Sequence, residues 1–172
     1  NFNNIDSEVK KRIDELRSYL DDHITFVDLL LTSLAQISID KSIIHGDPKL
    51  SNFLFDAQSK HVVSLIDLDT VSSGYLLTDL ADCIRSISNV VGEDPKYKED
   101  VSFDINSCNY FIKGYFSISK EYKNHSFSLL PEFIYLMIFE LTIRFFTDFL
   151  KSNRYFNIKY ETHNLFRAEV QY

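Results

Sequence analysis

Glycine is scarce in this sequence: Gly46, Gly74, Gly92 and Gly114 are the only four among 172 residues. They are too far apart to form a glycine-rich loop whose backbone N–H groups could cradle a phosphate. Cysteine is nearly absent too. Cys83 and Cys108 have neither metal-ligand spacing nor a disulfide framework, so both are expected as buried free thiols in a reducing cytoplasm. Long apolar runs are missing. The nearest, Phe133 to Leu150, is broken by Glu140, Arg144 and Asp148, which suits a buried core helix rather than a membrane span. No signal peptide is visible. Basic charge is in deficit, with 18 Lys and Arg against 25 Asp and Glu and a net charge of −7. That balance argues against non-specific affinity for nucleic acid or anionic membranes.

Enough apolar material is present, 45% of the residues, to bury one core. Val9, Ile13, Leu16 and Leu20 recur at three- and four-residue spacings, which predicts an amphipathic helix over 6–22 with Asp6 or Ser7 as its cap. Phe26, Leu29, Leu30 and Leu34 predict a second helix over 25–37. Thr78 is the expected cap of a helix carrying Leu80, Ile84 and Ile87, and Gly92-Glu93-Asp94-Pro95 opens a polar loop. Further helices are expected over 105–118 and 128–152, with Pro131 in the first turn of the longer one. Glu140 and Arg144 stand four apart on that helix and are expected to pair. Tyr155, Tyr160, His163, Asn164 and Arg167 form a polar and aromatic tail that either lines a pocket or covers the helical core.

The chemistry concentrates in two short segments. His45-Gly46-Asp47-Pro48-Lys49-Leu50-Ser51-Asn52 places an amide five positions after a carboxylate, and Ile66-Asp67-Leu68-Asp69 delivers another carboxylate twenty positions after Asp47. Phe53-Leu54-Phe55 and Val62-Val63-Ser64-Leu65-Ile66 are β-prone runs separated by the polar turn Asp56-Ala57-Gln58-Ser59-Lys60. A hairpin there brings Asp47, Asn52 and Asp67 to one end of a small sheet. Kinase-type phosphoryl transfer needs that set: one carboxylate to orient and deprotonate a hydroxyl, an amide and a second carboxylate to hold Mg²⁺ on the phosphates of ATP. Asp69 is either a further metal carboxylate or an anchor for the loop that follows. Two carboxylates about 4 Å apart repel by roughly 4 kcal/mol at an effective dielectric near 20, so this acidic group calls for a cation. With no Cys or His cluster beside it, a hard cation such as Mg²⁺ suits it.

The two segments together resemble the catalytic core of the aminoglycoside phosphotransferase and choline kinase superfamily, whose members have the protein-kinase-like fold. Ile66 to Gly74, Asp79-Leu80-Ala81-Asp82-Cys83-Ile84-Arg85, Glu140 to Leu150 and His163-Asn164-Leu165-x-Arg167-Ala168 are most similar to N-acetylhexosamine 1-kinases. The resemblance implies Asp47 as catalytic base, Asn52 and Asp67 as nucleotide–metal ligands, and Lys49 as a charge placed against the transferring phosphate. It also implies His45 as a loop brace and Asp79 as a helix-start carboxylate that ties down the catalytic loop; Asp82 and Arg85 are expected to be scaffold.

The expected fold is mainly α with a small β-hairpin, α+β overall: the helical C-terminal lobe of a kinase-like enzyme. Residues 1–172 form one such lobe, with a helical lead-in at 1–40, the catalytic and metal loops at 41–70 and a helical substrate side at 71–172. Nothing before His45 reads as the β-rich N-terminal lobe, which is expected to belong to a longer parent chain. The fragment alone is therefore expected to be inactive. The expected acceptor is the hydroxyl of a small molecule, a sugar or an amino-alcohol, with no nucleic-acid or membrane partner. Aminoglycoside- and choline-type kinases, or a non-catalytic binding module on the same fold, are the alternatives.

Overall fold

Asp6 caps the first helix: its carboxylate accepts the Glu8 N–H at 3.0 Å, and α1 runs over Ser7–Ala35. The computed structural model describes residues 6–119 and 125–171. The two helices expected over 6–22 and 25–37 are one continuous helix of 29 residues. No glycine or proline interrupts that span, so nothing in the sequence terminates the first helix near Asp22.

After α1 come β1 (Ser42–Ile44), β2 (Phe53–Phe55), β3 (Val62–Leu65), β4 (Ser72–Gly74), α2 (Leu76–Ser88), α3 (Ile105–Ile118), α4 (Leu130–Leu150) and α5 (His163–Glu169). The fold is mainly α with a small β part, as expected. β2 and β3 form the expected antiparallel hairpin, with a register shift between Leu54 and Phe55. Its turn is closed by Asp56, whose N–H donates to His61 O at 2.9 Å and whose Oδ1 accepts from the backbone of Gln58 and Ser59. A second pair, β1 with β4, was not expected. Ser42, Ser72 and Ser73 give no apolar alternation to signal it; a Cβ on Gly74 would lie 2.4 Å from Ile44 Cδ1, so any larger residue there would make the end of that side chain shift.

By contact the chain divides into two units, Asn1–Ile37 with Ile138–Tyr172, and Ser38–Met137. In the first, Leu16, Phe145, Phe146, Leu165 and Ala168 form the core, and Val9, Ile13 and Leu20 pack against it. The stripe read from the sequence is thus the buried face of α1. Arg12 clamps α1 to α5 through two bonds of 2.7 Å to the Glu169 carboxylate. Asp148, buried on α4, accepts the N–H groups of Arg154, Tyr155 and Phe156 and the side chain of Asn164. His163 and Asn164 are buried, so this part of the tail holds its own loop in place. The expected Glu140–Arg144 pair does not form. Both are exposed, and Arg144 lies over the rings of Tyr155 and Phe156 at 5.8 and 5.6 Å, where the ring faces attract the guanidinium.

In the second unit α2 carries the core through Leu77, Leu80, Ala81 and Ile84, with Cys108 on α3 and Phe133 on α4 also buried. Thr78 does not cap α2. The helix begins two residues earlier, and the Thr78 hydroxyl donates back to Tyr75 O at 2.6 Å. Both cysteines are free and buried. Among the described residues no helix is long and apolar enough to cross a membrane.

Candidate active site

The segment leaving β1 makes a tight bend at Gly46, where φ is +86°. A side chain there would place its Cβ 2.7 Å from Thr70 O, so glycine is the residue that fits on both counts. His45 braces the bend from inside: its Nε2–H donates to Ile66 O at 3.0 Å, and its Nδ1 accepts the Asp47 N–H at 3.2 Å. An Nδ1 that accepts carries no proton, which fixes the tautomer. Thr70 Oγ1 donates to His45 O at 2.7 Å and Ile66 N–H to Asn52 O at 2.9 Å. These bonds tie the His45–Asn52 loop to the Asp67 loop across the hairpin.

Asp47 is half-buried, and its Oδ2 takes the Lys49 ammonium at 2.6 Å. Burial alone would lower the Lys49 pKa; the Asp47 hydrogen bond and the charges of Asp47, Glu93 and Asp67 outweigh it, and the value is raised. Asn52 is buried in a short 3-10 turn, and its Nδ2 donates to Asp47 O at 2.7 Å. The amide is thereby oriented, with Oδ1 as its remaining acceptor. Asp67 sits in the left-handed region, φ 70° and ψ 58°, and among the described residues nothing donates a hydrogen bond to its carboxylate. Asp69 lies in the next turn, exposed and equally unengaged. No three His, Cys, Asp or Glu side chains cluster as a metal site among the described residues. The donors on the two loops, one anchored amide oxygen and the Asp67 carboxylate, are hard oxygens, the type that Mg²⁺ takes.

Helix α2 supports this loop. Asp79 Oδ2 and Oδ1 accept the N–H groups of His45 and Gly46 at 2.7 and 2.9 Å. The Cys83 thiol donates to Pro48 O at 3.1 Å, and Ser86 Oγ accepts the Leu50 N–H at 2.8 Å. Arg85, also buried, bonds Asp82 at 2.8 Å and Glu93 at 3.1 Å. Burial raises the Asp82 pKa against the opposing pull of Arg85. Sequence reasoning missed Ser86 and Glu93. A polar residue on an amphipathic helix and an acid in a loop look like surface until the loop they face is placed.

Two loops thus meet across a hairpin, one presenting a carboxylate, a lysine and an anchored amide and the other an unengaged carboxylate. Residues 3–102 match the family model of the phosphotransferase enzyme family (APH), more than half of the chain, and the chain belongs to that family. The match takes in α1, both loops and α2; α3, α4 and α5 lie beyond it.

Proposed function

We propose that this chain carries the catalytic loop of an ATP- and Mg²⁺-dependent small-molecule kinase. Its acceptor is a sugar hydroxyl, the anomeric hydroxyl of an N-acetylhexosamine first among them. The observation that carries this reading is the Asp47–Lys49–Asn52 hub, joined to the Asp67 loop by the Ile66–Asn52 and His45–Ile66 bonds.

In this reading Asp47 accepts the proton of the acceptor hydroxyl and aims its oxygen. Oδ2 is engaged by Lys49, which leaves Oδ1 to receive the proton. Lys49, an ammonium paired with Asp47, offsets the negative charge that gathers on the transferring phosphoryl group. Asn52 and Asp67 hold Mg²⁺, which when bound neutralises the phosphate oxygens. His45 and Asp79 keep the loop rigid so that the base does not drift. The substrate subgroup rests on the resemblance of the motifs, because α3 to α5 lie outside the family match.

The test is ADP release from Mg²⁺-ATP by the natural protein that carries these residues. The acceptor panel is N-acetylglucosamine, N-acetylgalactosamine, simple hexoses, aminoglycosides and choline. Turnover is expected with an N-acetylhexosamine, and Asp47→Asn is expected to lower kcat by about 10² to 10⁴ with the fold intact. Turnover confined to aminoglycosides or choline moves the acceptor, and turnover undiminished in Asp47→Asn refutes the assigned base. Binding of Mg²⁺-ATP without turnover on this panel points to a small-molecule acceptor outside it, and silence with no nucleotide binding favours a non-catalytic module.

A further inference from the structure

Helix α2 touches the catalytic loop at three successive points on one face. Asp79 takes the N–H groups of His45 and Gly46, Cys83 reaches Pro48 O, and Ser86 takes the Leu50 N–H. At 3.6 residues per turn, positions 79, 83 and 86 fall within an arc of about 60° and span about 10 Å of helix. The loop groups they hold advance in the same direction, 45–46, then 48, then 50. Asp47 and Lys49 lie between the held positions and give α2 no hydrogen bond. These two carry the 2.6 Å pair, with side chains 31% and 32% exposed, whereas Pro48 between them is buried. From Gly46 on, the helix grips alternate residues, 46, 48 and 50, and the reactive pair occupies the two between them.

We propose that Cys83 and Ser86 are positioning residues that, with Asp79, fix where the loop presents Asp47 and Lys49. Stability alone does not call for them. Leu50 is exposed, so water could satisfy its N–H without Ser86. Cys83 is a weak donor, and a small apolar residue would fill its place in the core. What both add is a directional bond to the backbone next to a reactive side chain. A displacement of the order of 1 Å at such a side chain costs about a hundredfold in rate. The kinetic consequence rests on the kinase reading; the structural one does not.

Four variants of the natural protein test this: Ser86→Ala, Ser86→Thr, Cys83→Ala and Cys83→Ser. Ser86→Ala and Cys83→Ala are expected to lower kcat about ten- to a hundredfold, with KM for Mg²⁺-ATP changed by about threefold at most. Thr and Ser, which keep a hydroxyl, are expected to recover most of the loss. Amide hydrogen exchange at Asp47 and Leu50 is expected to accelerate in both alanine variants while α2 stays protected. Unchanged kcat in both alanine variants overturns the proposal. So do losses that track the thermal midpoint equally in the alanine and hydroxyl variants. If the wild type turns over no acceptor, the kinase reading has failed, and exchange alone decides. Acceleration confined to the loop then supports the positioning role, and unchanged exchange overturns it.

Discussion

Gly46 and Gly92 both have positive φ, yet they differ in what a side chain would meet. At Gly46 an added Cβ comes within 2.7 Å of a backbone oxygen; at Gly92 nothing lies within 4 Å. Both alanine substitutions force a strained backbone, at about 1–3 kcal/mol. Only Gly46→Ala also drives the loop against Thr70, which is bonded to His45 O. Urea unfolding of the two variants is therefore expected to show a modest loss for Gly92→Ala and a clearly larger one for Gly46→Ala. Equal losses would show that the close approach to Thr70 carries no weight.

Among the elements, α2 holds both the core and the loop, and one of its residues makes that visible in alkali. Burial pushes the Cys83 thiol from its ordinary 9.0 up to about 12. The folded protein thus keeps a proton that the unfolded chain releases. The resulting stability is fully present below pH 9 and is lost as the pH rises through about 12. Three units correspond to about 4 kcal/mol across that window. Urea unfolding at pH 7, 9 and 10 is expected to show an alkaline decline that is shallower in Cys83→Ser, whose hydroxyl does not titrate there. An identical slope in wild type and variant would mean that the thiol is not shielded as the structure describes.

Elements whose residues repeat with a helical period were legible in the sequence. α3 begins and ends where the spacing put it, and the stripe Val9–Ile13–Leu16–Leu20 is the packed face of α1. Boundaries set by a single side chain were not legible, because Thr78 and Ser7 have the same capping chemistry whether or not the backbone uses it. The meeting of the two acidic loops was legible, since a hairpin permits only that closure. The grip of α2 was half legible. Asp79 stood out at a helix start, whereas Cys83 and Ser86 depend on a loop path that no periodicity encodes.

At the scale of the whole chain, acidic charge coexists with uncovered apolar surface. Ile43, Val63 and Leu68 are 80%, 64% and 61% exposed, and Leu54, Leu50 and Val71 are exposed as well. All six flank or belong to the two loops of the candidate site. Apolar side chains exposed in this number bind hydrophobic dyes without unfolding. An anilinonaphthalene sulfonate probe is expected to fluoresce with the native chain, and a Leu54→Ser, Val63→Ser, Leu68→Ser triple variant is expected to lose most of that signal at unchanged helicity. Full retention of the signal would place the dye-binding surface elsewhere.

The sequence separations of the four bonds between α2 and the loop are 33, 34, 35 and 36 residues. Closing a chain ring costs entropy that depends on its size, and once the first ring is closed the other three add almost none. The four contacts should therefore form in close succession, as a zipper does after its first tooth. In folding, the His45–Asn52 loop is then expected to acquire its geometry in a single event tied to α2, with half-assembled loops sparsely visited.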